Sequence, residues 1–200
     1  MLTHTFSGIT GTTLEIIERL NKIEYGEHAI LIYPNQYSFR EIYSHYCNIA
    51  LKNNEIVLIL TYYETADCVR QTLNEIDVNV EKYEKEKVLM IMEDITKTYF
   101  DSAKDFLLFM EVLDKQKDKM GKNGISVIAD MGTFFHFQNN KDAVMTFESS
   151  LPSKFGIKMK RICNYHDGDL GRFEDDEMDS LIELHHVQIK VLPIIGTLIN

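Results

Sequence analysis

Residues 28–52 read HAILIY, then PNQY, then SFREIYSHYCNIALK. The first six are apolar almost without alternation, which marks a strand buried on both faces. From Phe39 onward, Ile42, Tyr43, Tyr46, Cys47, Ala50 and Leu51 recur at helical spacing. Strand, tight turn and helix form the opening unit of a parallel α/β sheet. In nucleotide-binding sheets of this kind the turn is a glycine-rich loop whose backbone N–H groups cradle phosphate. Here the turn is Pro34-Asn35-Gln36-Tyr37, without a glycine. Laying Tyr33–Arg40 on the GxxxxGK(S/T) pattern puts Ser38 at the second glycine, Phe39 at the lysine and Arg40 at the hydroxyl residue. Phenylalanine cannot neutralise a phosphate, and arginine cannot ligate Mg²⁺ as a hydroxyl does. Arg40 at a helix start suits an anionic group, or is simply a surface arginine.

The rest of the chain repeats this alternation. Further strands are EIVLILTYY (55–63), KVLMIME (87–93), ISVIAD (125–130), IKMKRICNY (157–165) and QIKVLP (188–193). Helical patterns cover 66–76, 103–120 and 177–185, and an amphipathic segment precedes them at 12–23. Strands alternating with helices imply right-handed βαβ units and one doubly wound α/β domain with a mainly parallel sheet. Residues 1–24 form an N-terminal helical segment packed on the core, and residues 25–200 the domain proper. In such sheets ligands bind beyond the strand C-termini. That places the working edge at Tyr33–Tyr37, Thr61–Thr65, Glu93–Ile95, Asp130–Phe135 and Asn164–Arg172.

A net charge of −10 argues against general nucleic-acid binding and against docking on an anionic membrane. Apolar runs stay short of the roughly 18–20 residues that a membrane span needs. The N-terminal MLTHTFSGITGTT lacks the basic and apolar stretches of a secretory signal. Cys47, Cys68 and Cys163 are odd in number, far apart and set in apolar contexts, which fits buried thiols and a cytoplasmic protein.

Several residues on these loops carry chemistry. Asp130 ends a buried strand and Glu64 follows another, the places where a competent ATPase keeps metal-orienting and water-polarising carboxylates. Tyr33, Tyr37, Tyr62 and Tyr63 offer rings and hydroxyls to a pocket. His28, at the opposite end of its strand, reads as a structural histidine bonded to neighbouring backbone. Met131–Phe137 holds three phenylalanines and His136, the mark of a pocket or interface, or of a buried helix start. His166-Asp167-Gly168-Asp169 with His185-His186 raises a metal site, although no firm ligand spacing is present. Glu174–Glu177 reads as a solvated helix N-terminus.

The run from Ser7 to about Ile95, with the later ISVIAD, resembles the KaiC-like branch of the RecA superfamily. Within it the chain is most similar to the sensory domain called MEDS, after methanogens, methylotrophs and the DcmR regulator. The resemblance covers roughly residues 20–195. It rests on His28 and Tyr33 (H-x-x-x-x-Y), on Cys163 and Tyr165 (C-x-Y), on Arg172-Phe173, and on His185. It implies a RecA/KaiC-like three-layer sandwich with a degenerate P-loop, an archaeal or methylotroph setting, and a sensing role without catalysis. The expected partners are a small molecule or a signalling protein, with a homo-oligomer by analogy. No metal is expected, and no cofactor either, Mg-ATP being the alternative to the latter. Candidate ligand contacts are Tyr33, Asn35, Tyr37, Ser38, Arg40 and Tyr62, then Glu64, Asp130, Phe134, His136, Tyr165 and Arg172. Two competing readings are a divergent ATPase built on Glu64 and Asp130, and a scaffold that holds a partner on Phe134–Phe137.

Overall fold

The structure, a computed structural model, describes residues 8–93, 102–136 and 141–193. Their strands are β1 (Ile9–Gly11), β2 (His28–Tyr33), β3 (Ile56–Thr61), β4 (Leu89–Glu93), β5 (Ile125–Asp130), β6 (Met159–His166) and β7 (Val187–Val191). They make one parallel sheet in the order β1-β7-β2-β6-β5-β3-β4. Parallel strands need crossovers, and helices supply them: α1 (Thr13–Leu20), α2 (Gln36–Lys52), α3 (Ala66–Glu75), α4 (Val80–Lys85) and α5 (Ala103–Lys119). After β5 come α6 (Gly132–His136), α7 (Lys141–Ser149), α8 (Asp167–Leu170) and α9 (Asp175–Glu183).

Strand periodicity sorts the core into two halves. Ile30, Ile32, Leu58 and Cys163 pack on the side of α5, α6 and α7. Ala29, Leu31, Val57 and Ile162 pack on the side of α1, α2 and α3. The result is the three-layer α/β sandwich that unbroken apolar strands imply.

Some expectations shift. A three-residue strand, too short for a pattern, precedes the N-terminal helix and pairs with β7 at Ile9–Ile189. The helix Val80–Lys85 was not foreseen, since six residues make less than two turns and Asn79 alone signals its start. The last helix begins at Asp175, capped by Glu174 and Glu177, two residues before the expected start. Cys47 and Cys163 are buried, but Cys68 is exposed, because its turn of α3 faces outward. Among the described residues no helix is long and apolar enough to cross a membrane. Asp94, Ile95 and Phe137 lie outside the described residues, as does the side chain of His136.

Candidate functional site

At the strand C-termini the phosphate cradle is filled. Only Pro34 and Asn35 separate β2 from α2. The Asn35 side chain caps the helix by accepting the Ser38 N–H at 3.0 Å, so an N–H that would face phosphate is already used. Phe39 stacks on Tyr33 with ring centroids 4.4 Å apart. Tyr33, Ser38 and Phe39 are all buried. Two stacked rings thus stand at the turn where a P-loop would present glycine backbone, and residues 34–40 contain no lysine.

Neither carboxylate of the ATPase reading faces outward for metal. The Asp130 Oδ1 accepts the Gly132 N–H at 2.9 Å, and its Oδ2 accepts the Tyr62 and Tyr63 N–H groups at 3.3 and 3.2 Å. Burial pushes the Asp130 carboxyl up to about 6, partly offset by these three bonds. Asp130 is thus a latch that ties the loop after β3 to the end of β5. The Glu64 carboxylate pairs with the Arg40 guanidinium and accepts the Tyr43 hydroxyl at 2.8 Å, while its carbonyl accepts the Thr61 hydroxyl at 2.8 Å. The Arg40 side chain is half exposed, whereas that of Glu64 is buried.

Beside this pair lies a groove of about 400 Å³ between α2 and α3. Tyr37, Arg40, Ser44, His45, Cys68 and Gln71 line it, and Tyr37 is 70% exposed. Of the candidate contacts, only Tyr37 and Arg40 meet in this groove. Tyr62 and Asp130 meet at the sheet edge instead, together with Tyr63 of the same tyrosine group, whose hydroxyl bonds Asp169, and with His166, which stands edge-on to Tyr33 at 5.4 Å. Gly132 is needed there, since a Cβ would come within 2.6 Å of the Tyr63 ring.

Other candidates fall elsewhere. Phe134 and Phe135 are buried in the core, Phe134 against Phe147, so they form the buried helix start and not an exposed patch. Arg172 donates to the Phe135 carbonyl at 3.0 Å. The two halves of the proposed metal cluster lie at opposite ends of the sheet, because His166 ends β6 and His185 precedes β7. At the His166 end, Nδ1 accepts the Gly168 N–H and Asp167 meets Lys190.

Tyr165 also leaves the edge. It joins a buried node at the other end, on the face of β6 that Arg161, Cys163 and Tyr165 share by alternation. There Glu148 of α7 receives the Arg161 guanidinium at 3.3 and 3.4 Å and the Tyr165 hydroxyl at 3.1 Å. Arg161 sits over the Phe106 and Phe147 rings, each 5.2 Å away. His28 pairs in register with Arg161 and bonds the Leu184 carbonyl, as its structural reading expects. His185 stands 4.8 Å from His28, ring to ring. Burial works to raise the Glu148 carboxyl, but Arg161 and the two histidines hold it below the usual range. Sequence spacing could not reveal this node, since Glu148 and Arg161 come from different elements; only the i, i+2, i+4 face of β6 was legible.

Burial, with His185 and Arg161 nearby, lowers His28 to about 4. Its folded value lies below the unfolded value of about 6.5, so it supplies stability above pH 6.5 that is lost as pH falls toward 4. Between pH 7.5 and 5 this one group should cost about 2 kcal/mol. Urea unfolding of wild type and His28→Gln at both pH values checks it. A fall of equal size in the variant would refute the assignment.

A family model described as "MEDS: MEthanogen/methylotroph, DcmR Sensory domain" matches residues 27–186. No curated protein matches the chain. Among solved structures, a KaiC-like protein from the hyperthermophilic archaeon Pyrococcus horikoshii OT3 is similar, with a TM-score of 0.58 and 13% identity. The match covers 86% of this chain and 74% of that one, and at this identity it speaks to the fold alone.

Proposed function

The chain belongs to the MEDS family of sensory domains, and from that premise we propose that it senses a small ligand beside the strand C-termini, in the groove between α2 and α3. The observation that carries this reading is the double role of Arg40. It lines the groove, and it also neutralises Glu64, whose carboxylate and carbonyl hold Tyr43 and Thr61. A ligand with an anionic or accepting group competes with Glu64 for Arg40. Occupancy then changes the packing of the β3–α3 loop, and that local event shifts the population a signalling partner reads at the same edge.

The volume suits a metabolite-sized organic molecule. Exposed Tyr37 supplies a ring for apolar contact and a hydroxyl for orientation. A triphosphate is disfavoured by the Tyr33–Phe39 stack and by the capped start of α2.

The test is a ¹H–¹⁵N correlation spectrum titrated in parallel with small organic acids, small alcohols and Mg-ATP. At least one organic probe should shift Tyr37, Arg40, His45 and Cys68 together, and Arg40→Gln should weaken it about tenfold, or 1.4 kcal/mol. Mg-ATP should not saturate below about 1 mM. Tighter Mg-ATP binding, or probe shifts confined to other surfaces, would overturn the reading.

A further inference from the structure

The buried node at the N-terminal ends of the strands has a feature that its structural role leaves unexplained. His28 Nε2 bonds the Leu184 carbonyl, and His185 Nδ1 bonds the Leu181 carbonyl at 2.9 Å. A carbonyl only accepts, so each of these ring nitrogens carries the proton. In the neutral rings the other nitrogens, Nδ1 of His28 and Nε2 of His185, are therefore lone-pair acceptors. Both are buried and have no hydrogen-bond partner among the described residues.

The third member, Glu148, is also an acceptor. His28, Glu148 and His185 are 1%, 1% and 3% exposed. One ring nitrogen of each histidine and one Glu148 oxygen lie within 4.8 Å of one another. The approach of His185 Nε2 to Glu148 Oε2, at 3.8 Å, is too long for a hydrogen bond. Two buried ring nitrogens without a partner thus lie beside a carboxylate that Arg161 and Tyr165 already bond, and buried acceptors left unpaired are unfavourable unless a cation shares their lone pairs. The backbone carbonyls do what outer partners of metal-bound histidines do, fixing tautomer and ring orientation.

We propose that His28, His185 and Glu148 form a site for a transition-metal ion of the zinc or ferrous class. Two imidazoles and one carboxylate suit those ions. Mg²⁺ and Ca²⁺ require shells of oxygen ligands that the node does not offer. Arg161 sharpens the choice. It already offsets the Glu148 charge, so an ion held mainly by charge is repelled, and one held through imidazole nitrogen is favoured. Phe155 stands edge-on to His28 at 5.6 Å and also lines a cavity of about 350 Å³.

The experiment uses the full chain, stripped with a chelator and titrated with Zn²⁺ and Co²⁺, with X-ray absorption spectra on the loaded protein. The expected result is one ion per chain, two imidazoles in its shell, a raised melting temperature, and no competition from millimolar Mg²⁺. His28→Gln and His185→Gln should each weaken binding by about 100-fold or more. His186→Gln, at an exposed neighbour outside the triad, should leave it unchanged. If either triad variant fails to fold, the wild-type absorption spectrum decides alone. No stoichiometric binding, a shell without imidazole, or affinity insensitive to both triad variants would overturn the site.

Discussion

Glu148→Ala should cost about 3–5 kcal/mol of folding stability, because removing one partner of a buried ion pair leaves the other charge uncompensated. Arg161 is 1% exposed and lies against two phenylalanine rings. It also donates to the Met131 sulfur at 3.5 Å. A guanidinium cannot escape by losing its proton, as a buried lysine can. Since domains are stable by only about 5–15 kcal/mol, this one change consumes a large share. The pair as a whole is another matter. Glu148→Leu combined with Arg161→Met should recover most of the loss, because two apolar groups of similar volume need no partner. Urea unfolding of both variants in chelator-treated samples measures this apart from any metal. A loss below about 1 kcal/mol for Glu148→Ala would mean that Arg161 reaches water.

Asp130→Ala should lower stability by about 2–3 kcal/mol at pH 5, since it orphans the N–H groups of Tyr62, Tyr63 and Gly132 at once. The loss should shrink as pH rises. The folded carboxyl titrates near 6, above the unfolded value of about 3.9. Its contribution is therefore complete below about pH 4 and is lost as pH rises through 6. Between pH 5 and 7.5 the gap between wild type and variant should narrow by about 1–1.5 kcal/mol. Denaturant titrations at the two pH values test the latch against the ATPase reading. A metal-orienting aspartate predicts lost Mg-ATP turnover in Asp130→Asn, with little change in stability.

How much of the site was legible depends on how local each signal is. The departure from the P-loop pattern was readable at Phe39 and Arg40, because a P-loop is a contiguous pattern whose residues act through their own backbone. The fate of those residues was not. That Phe39 would fold back on Tyr33 depends on how α2 leaves β2, and that Arg40 would find Glu64 depends on where β3 lies, with β6 and β5 between it and β2 in the sheet. That Tyr63 would bond Asp169 and lie against His166 was not legible for the same reason, since those contacts cross from the end of β3 to the end of β6. The phenylalanines of Met131–Phe137 were ambiguous because an aromatic run reads alike whether it turns inward or outward; here Phe134 and Phe135 turn inward, Phe134 against Phe147 of α7.

The sequence by itself determined the layered α/β architecture and the family. Those follow from period, order and spacing along the chain, which survive in one dimension. Only the tertiary structure decided that Asp130 is a latch, that Tyr165 lies in the core, and that His28, Glu148 and His185 meet. The strand order brings β6 and β7 to either side of β2, and α7 lays Glu148 across them. Residues 120 and 37 positions apart become neighbours through hydrogen-bonded pairing of strands, and no local pattern of side chains encodes which strands pair.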